Sequence, residues 1–342
     1  MGKINDDLWI WAASEEREII SLKEEIDKKH SLADAPKTTL YHYTNANGFK
    51  GIIDSKSLWL TDINYLNDAG ELRYAQNLIR DIIKGFSEDN KGHQLFFDKL
   101  DWLSDPFENS FDIYITCFCE EGELLSQWKS YGLYSIGFNT IKDLRVNPST
   151  FRKEGDYHKA TLLKVIYDRD KQIDTITDII NSLFKLYKHS LSKYDKWPEM
   201  IAQKYARVFA NFIMRYVLCF KNEVFKEENE WRLIHVQENR NDGKIKFRPA
   251  DEYLIPYIEG EIRTIDEEIF NEYHQKIAVM GVDDLKNYVE ENGEFPIKEI
   301  IIGPDPHHEI AEASAKKFLI KNGFLECNLF SKSTNLRKGK AW

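Results

Sequence analysis

The irregular order of strand and helix patterns along the chain most constrains its fold. LYHYT at 40–44 and YSIGF at 134–138 alternate as strands do, whereas residues of about 170–222 carry apolar side chains at helical spacing. Strands and helices follow one another without the regular βαβ alternation of a doubly wound fold. The sequence therefore predicts an α+β fold with a mixed, mainly antiparallel sheet or sheets and a large helical insertion.

The remaining elements follow from the same two periods. Helices are predicted from Asn45 to Asp54, from Asp68 onward, over SQWKSYG at 126–132, and over 307–323, where Gly323 ends the helix. The other predicted strands are 57–61, 111–119, 160–168, 230–236, 244–248, 253–259, 297–303 and 324–330.

The N-terminus forms a candidate arm. Residues 7–30 have helical spacing with mixed charge, and SLADAPKTT after them contains Pro36 and small residues that suit a linker. We expect an arm and linker at 1–36 and a single domain at 37–342. Packing of the arm on its own domain is the favoured interpretation. The alternatives are docking of an antitoxin or other partner through residues 7–30, or a homodimer.

Charge and composition disfavour several classes. The net charge is −10 and the pI about 5.5, whereas proteins held by phosphate contacts usually show a basic face. Of the four cysteines only Cys117 and Cys119 are close in sequence, so no zinc set is predicted, and reduced thiols are expected. We expect a cytoplasmic protein without a signal peptide or membrane contact, because no apolar stretch has the required length.

Three segments carry polar or aromatic side chains suited to a ligand. His42, Tyr43 and Thr44 end the first strand, although a lone strand histidine is more often structural. In TDINYLNDAGELR at 61–73, Asp68 and Glu71 resemble a capping box, which does not exclude a ligand at the same helix N-terminus. Trp128 and Tyr131 share a helical face and suit either core packing or stacking.

FKEENEWRLIHV at 225–236 is the densest polar cluster. If Glu228 begins the strand, then Glu228, Glu230 and Arg232 face one side, and Trp231, Leu233 and His235 face the other. This predicts a buried Trp231 and Leu233 with Glu230 at least partly accessible. The alternative is a solvated strand end with an intrastrand Glu–Arg contact.

Seven short motifs follow one another in a specific order. They are Tyr41-His42-Tyr43-Thr44, Leu66-Asn67-Asp68 with Glu71, Thr116-Cys117-Phe118-Cys119, Trp128 to Gly132, Gly137-Phe138, Glu228 to Arg232, and Ile297 to Gly303. Over roughly residues 39–338 the chain thereby resembles the bacterial domain-of-unknown-function family numbered twenty-nine seventy-one. It departs from that pattern where Ala69-Gly70-Glu71 replaces the usual Pro-Phe-Glu.

That family in turn resembles the ADP-ribosyltransferase superfamily, including its DNA-modifying toxin group. The resemblance implies a fold of that type and NAD as the substrate. His42 matches the first-strand position and Glu230 the late-strand position, while Tyr65 and Thr61 both remain candidates for the middle one. It implies catalytic roles for Glu230, His42 and Glu228. The implied NAD-binding residues are His42, Tyr43, Thr44, Tyr65, Asn67, Asp68, Trp128, Tyr131 and Arg232.

The implied function is an ADP-ribosyltransferase, a glycosyl-transferring enzyme acting on a protein or nucleic acid as a toxin or antiviral-defence effector. We expect His42, Asn67 or Asp68, and Glu230 to meet in one cleft, with a carboxylate stabilising the oxocarbenium-like state of NAD cleavage. Arg232 or Arg73 could pair with the pyrophosphate. The alternatives are a non-catalytic module for ligand sensing or protein binding, and an NAD glycohydrolase. No metal is expected.

Overall fold

The computed structural model describes residues 2–30, 36–66, 69–101, 112–139, 161–237, 245–250, 252–261, 295–325 and 327–331. The chain forms two compact units, each built from segments that are far apart in sequence. The helical unit comprises residues 1–34, 67–111 and 163–226, and the sheet unit comprises residues 35–66, 112–162 and 227–342.

The helical unit contains five α-helices in its described part. They are α1 (Gly2–Lys29), α3 (Ala69–Asp89), α4 (Gln94–Asp101), α6 (Arg169–Lys193) and α7 (Pro198–Val217). Asp168 caps α6 by accepting hydrogen bonds from the Asp170 and Lys171 amides, and α7 begins with a proline, which needs no amide partner there. The helices predicted over about 170–222 are thus confirmed as α6 and α7, and their status as an insertion stays a prediction.

An aromatic core holds the helical unit together. Phe96 of α4 stacks on Tyr187 of α6 with ring centres 4.7 Å apart, and Phe184 packs against both rings. The helix α1 joins this unit through the buried Ile26, and through Asp27, whose carboxylate accepts from the Tyr216 hydroxyl at 2.7 Å. The predicted boundary at residue 36 stays a prediction.

In the described part of the chain the sheet has ten strands. Its strands are β1 (Leu40–Thr44), β2 (Ser57–Asp62), β3 (Asp112–Cys119), β4 (Tyr134–Phe138), β5 (Thr161–Lys164), β6 (Glu230–Gln237), β7 (Lys246–Pro249), β8 (Leu254–Glu261), β9 (Ile297–Ile302) and β10 (Asn328–Ser331). The main path runs β10-β9-β4-β1-β3-β2-β8-β7, with β6 paired to β3 beside it. Most pairs are antiparallel and β9–β10 is parallel, so the predicted α+β class with a mixed, mainly antiparallel sheet is confirmed.

Strand β3 is where the sheet divides. One edge of β3 pairs with β6 from Asp112–Gln237 to Cys119–Glu230. Along the other edge of β3, β1 pairs at Tyr41–Cys119, and β2 pairs at Thr61–Ile115 and Asp62–Tyr114. The strands β1 and β2 therefore separate between residues 115 and 119 of β3, and this gap positions the site described below.

Two helices, α2 (Ala46–Ser55) and α8 (His308–Lys321), contribute to the apolar core of the sheet unit. Phe49 of α2 stacks on Tyr134 of β4 with ring centres 4.5 Å apart, and Phe318 of α8 meets Phe49 edge to face. A further helix, α5 (Leu125–Tyr131), ends at Gly132. The core thus closes one side of β4 and β1.

Three predicted elements need correction. Glu228 does not begin β6, because residues 223–228 form a 3-10 helix and Asn229, with φ of +40°, turns the chain into the strand. The strand predicted over 160–168 is only Thr161–Lys164. The sequence interpretation missed α4. Among the described residues, no helix has the length and apolar character needed to cross a membrane.

Candidate functional site

His42 lies in the gap between β1 and β2. Its Nδ1 is 2.9 Å from the carbonyl oxygen of Cys117, and a carbonyl can only accept, so Nδ1 carries the hydrogen and donates. Strand carbonyls point along the plane of a sheet, so this bond turns the ring into the gap at the edge of β3. In the neutral ring Nε2 is then left as a hydrogen-bond acceptor.

The surroundings of His42 keep it neutral. Burial lowers its pKa below the ordinary 6.5, the hydrogen bond to Cys117 acts in the opposite direction, and the charge of Arg248 lowers the pKa further. The site therefore offers an imidazole acceptor at neutral pH.

Arg248, on β7, reaches across β8 to the side chains of β2. Its Nη2 donates to the Thr61 hydroxyl at 2.9 Å, and its guanidinium carbon lies 5.7 Å from the centre of the Trp59 ring. Trp59 in turn packs against Tyr257 with ring centres 4.9 Å apart. Burial lowers the pKa of Arg248 below the ordinary value of a guanidinium, but the group stays a cation at any physiological pH.

Glu230 and Arg232 form a buried pair on β6. Arg232 donates from Nε to Oε1 of Glu230 at 2.8 Å and from Nη2 to Oε2 at 3.0 Å. Glu230 is only 3% exposed, so the prediction that it is at least partly accessible is wrong. The predicted burial of Trp231 and Leu233 is confirmed, and Arg232 and His235 are buried as well. Both faces of β6 are therefore buried, whereas the sequence interpretation assumed that only one face of the strand would be buried.

The strand register decides which candidate side chains share a face of the sheet. Tyr41 and Glu230 both pair with Cys119, and Thr61 pairs with Ile115, so Tyr41, Glu230 and Thr61 leave the sheet on one side. His42 leaves β1 on the other side before its ring turns into the gap. The structure thus groups Thr61 with Arg248, and Glu230 with Arg232, and it does not bring His42 and Glu230 together on one face.

Other predicted residues anchor the loop that follows β3. The Tyr43 hydroxyl donates to the carbonyl of Glu121 at 2.7 Å and accepts from the Leu124 amide at 2.9 Å. Burial raises the pKa of Tyr43 well above its usual range. Trp128 meets Tyr43 edge to face at 6.2 Å. Thr44 packs so closely on Gly48 that a Cβ there would lie 1.9 Å from the Thr44 hydroxyl oxygen.

Two of the remaining predicted residues lie at the margins of this arrangement. Tyr65 is exposed in a 3-10 turn and tilts toward Tyr253, with ring centres 6.2 Å apart. Tyr131 is exposed at the end of α5. Asn67 and Asp68 lie outside the described residues, so their predicted place beside His42 or Glu230 stays a prediction.

Glu228 is half-buried at the end of its 3-10 helix, next to the turn at Asn229. Just after this turn, on β6, the Trp231 indole donates a hydrogen bond to Glu120 at 2.9 Å. Across the described ranges no group of three or more metal-ligating side chains is arranged to hold an ion.

Comparison with known proteins gives one match. Residues 127–233, roughly a third of the chain, match the family model described as "Protein of unknown function (DUF2971)". This range runs from α5 to β6 and includes Trp128, Glu230 and Arg232, so the predicted family resemblance is confirmed over that part. No curated protein and no solved structure matches the chain, and the link to ADP-ribosyltransferases stays a prediction.

Sequence reasoning missed Arg248 and Trp59. The segment KIKFR was predicted as a strand at 244–248, and the observed strand begins at Lys246. The alternation of Lys246 and Arg248 along it puts two cations on one face. The alternation was visible in the sequence, but it did not show that Lys246 pairs with Glu259 whereas Arg248 contacts Thr61.

Proposed function

We propose that this chain binds NAD and transfers its ADP-ribose to a macromolecule, either a protein or a nucleic acid. The observation that supports this most is the His42 ring, which the Cys117 carbonyl fixes at the gap between β1 and β2. An ADP-ribosyltransferase type of sheet belongs to the same proposal.

His42 has a defined task in this proposal. Its Nε2 accepts a hydrogen bond from a ribose hydroxyl of NAD, while the Cys117 carbonyl fixes the ring through Nδ1. We assign the middle position to Thr61 rather than Tyr65, because Thr61 is buried in contact with Arg248 whereas Tyr65 is exposed. Cleavage of the nicotinamide–ribose bond then builds positive charge on the ribose.

Glu230 is the candidate that stabilises this charge, and it leaves the sheet on the same side as Thr61. In the structure both of its carboxylate oxygens are held by Arg232. The proposal therefore requires this pair to rearrange when NAD binds, so that one oxygen faces the ribose. Glu228, half-buried just before the strand, is the candidate for activating the acceptor nucleophile.

The Glu230–Arg232 pair also favours a second candidate function. A buried carboxylate with two hydrogen bonds to Arg232 has a structural role. Glu230 and His42 also leave the sheet on opposite sides, and this arrangement fits a module that binds a nucleotide without cleaving it. The non-catalytic ligand-binding module is therefore the second proposal.

The test is release of nicotinamide from NAD, measured with the parent, His42→Gln and His235→Gln. His235 is a buried histidine on β6 of the same sheet, so it controls for loss of a strand imidazole. We expect His42→Gln to lose at least about 100-fold in turnover, and a folded His235→Gln to keep it.

The outcomes separate the candidates. Labelled NAD that marks a macromolecule supports the transferase, whereas free ADP-ribose as the product would make the chain an NAD glycohydrolase. Binding of NAD without nicotinamide release favours the non-catalytic module. If the protein is folded but neither binds NAD nor releases nicotinamide from it, both proposals are overturned.

A further inference from the structure

We infer that Arg248 is the recognition point for the phosphate group of a sugar phosphate, with Thr61 as a second donor and His42 as acceptor for a neighbouring sugar hydroxyl. The identity of the ligand as a part of NAD rests on the proposed function. The anion site itself rests on the geometry of β2 and β7.

Arg248 lacks the partner that a half-buried cation ordinarily has. Within the part of the chain that the structure describes, its hydrogen-bond partner is the neutral Thr61 hydroxyl and no carboxylate pairs with it. The nearest comparison is Lys246 on the same strand, which pairs with Glu259 at 2.7 Å. Burying a charge is costly unless it is paired, so a guanidinium left in this state predicts an external anion.

The guanidinium is held in an orientation suited to an anion. It lies over the Trp59 ring, and one of its nitrogens is fixed by Thr61. A guanidinium carries five N–H donors, so most remain for a ligand, and its planar fork matches phosphate oxygens in pairs.

Two further donors lie in the same group. The Thr61 hydroxyl accepts from Arg248 and keeps its own hydrogen to donate. The indole N–H of Trp59 is buried and has no hydrogen-bond partner among the described residues. Arg248 from β7 and Thr61 from β2 therefore present donors next to each other, with the Trp59 ring beside them.

His42 restricts the kind of anion. His42 is bonded to the carbonyl of Cys117, two residues along β3 from Ile115, which pairs with the Arg248 partner Thr61. The two groups thus meet the same edge of β3, and Nε2 of His42 is an acceptor that would repel an oxyanion. A ligand that satisfies both residues carries an anion next to a hydroxyl group that donates to Nε2. A sugar phosphate has this combination, whereas inorganic phosphate or a simple carboxylate satisfies Arg248 alone.

The experiment compares ADP-ribose and inorganic pyrophosphate as titrants by calorimetry, with the parent, Arg248→Gln and Lys246→Gln. Lys246→Gln is the matched control, since it removes one positive charge from the same strand and face. We expect ADP-ribose to bind more tightly than pyrophosphate. Arg248→Gln should weaken both by at least about tenfold, as loss of a charged hydrogen bond does, and Lys246→Gln should leave both within about twofold, since its exposed pair contributes little.

The results decide each part separately. The inference is overturned if Arg248→Gln binds both titrants as tightly as the parent does. It is also overturned if Lys246→Gln weakens binding as much as Arg248→Gln, or if the parent binds neither titrant. If Arg248→Gln does not fold, Arg248→Lys is used in its place. Lysine keeps the positive charge but lacks the planar donor fork of the guanidinium. An unchanged ADP-ribose affinity in Arg248→Lys also overturns the inference. Binding of ADP-ribose that depends on Arg248, without nicotinamide release from NAD, keeps the anion site and refutes the transferase.

Discussion

Arg232 holds both carboxylate oxygens of Glu230 from two residues further along β6, at 2.8 and 3.0 Å, with their side chains only 5% and 4% exposed. Such a bidentate pair has fixed geometry, and in a buried position each partner compensates the desolvation of the other. The pair therefore links any catalytic use of Glu230 to the stability of the strand that carries it.

Glu230→Gln should destabilise the protein, because the amide removes the negative charge that compensates buried Arg232. Breaking a buried pair from one side costs on the order of 3–5 kcal/mol, and we expect the lower end, since the amide oxygen still accepts one hydrogen bond. The measurement is the free energy of unfolding in urea. Loss of NAD turnover in this variant is interpretable only at a temperature where it remains folded.

The double variant Glu230→Gln with Arg232→Met is the control for that prediction. Removing the cation as well should recover part of the lost stability, because no uncompensated charge is left in the core. If Glu230→Gln alone unfolds at the same urea concentration as the parent, the pair is not the stabilising contact that its geometry indicates.

His42 should stay neutral in the folded protein to a pH below 6.5, because burial is the main cause that lowers its pKa. Well above pH 6.5 the histidine is neutral in both states and its titration does not affect stability. As the pH falls below 6.5, the unfolded chain takes up the proton first and the protein loses stability. The ring nitrogen shifts of His42, followed by NMR against pH, measure the folded value directly.

His42→Gln provides the stability comparison, since it cannot titrate. As the pH falls below 6.5, the unfolding free energy of the parent should decrease relative to that of His42→Gln. A constant difference across that range would contradict the lowered pKa.

Much of the sheet could be predicted because strand alternation is a local property. Residues 134–138 were predicted as a strand and form β4 with the same bounds, and β6 begins at the predicted Glu230. The accessibility of Glu230 could not be predicted in this way. Alternation assigns side chains to two faces, but only the tertiary packing determines whether one or both faces are covered.

The contacts that define the candidate site are long-range, and a single sequence does not contain them. Arg248 and Thr61 are 187 positions apart, and His42 and Cys117 are 75 apart. Their meeting depends on the order of the strands, in which β1 and β2 share one edge of β3. That order combines pairings from three distant segments, and no local motif specifies it.

Asp178→Asn should loosen α1 from the helical unit. Its carboxylate accepts from Lys29 at 2.6 Å and lies 2.7 Å from Nε2 of His30, both at the end of α1. Burial would raise the pKa of Asp178, but these two partners outweigh it and hold the pKa below the ordinary 3.8. We expect a small loss of unfolding free energy at neutral pH, because solvent screens the exposed pair with Lys29 and the hydrogen bond to His30 is the better shielded contact.

The pH dependence checks the cause. The carboxylate contributes its full stability above its ordinary pKa of 3.8 and loses it as the pH falls through the lower folded value. The difference between parent and Asp178→Asn in urea unfolding should therefore shrink in acid. Aspartate 174, which acts on Lys29 only through its charge, supplies the control Asp174→Asn, whose effect should be smaller still. Equal losses in the two variants would show that α1 is held by general charge attraction.

Gly132→Ala should be among the most damaging single changes in the sheet unit. Gly132 has a φ of +120°, and a Cβ there would lie 2.6 Å from the Cα of Asn45, which caps α2. Backbone cannot yield as a flexible side chain does, so we expect a loss of at least about 2 kcal/mol from the strained conformation and the displaced cap.

Gly85→Ala is the matched substitution for Gly132→Ala. Gly85 lies within α3, it has no positive φ, and a Cβ added there meets nothing within 4 Å. Alanine is the better helix former by about 1 kcal/mol, so Gly85→Ala should raise the unfolding free energy rather than lower it. Opposite signs for the two changes in one denaturation series would confirm that position, not the added methyl group, decides the result. If Gly132→Ala unfolds like the parent, the close approach of α5's end to Asn45 is not a constraint on the fold.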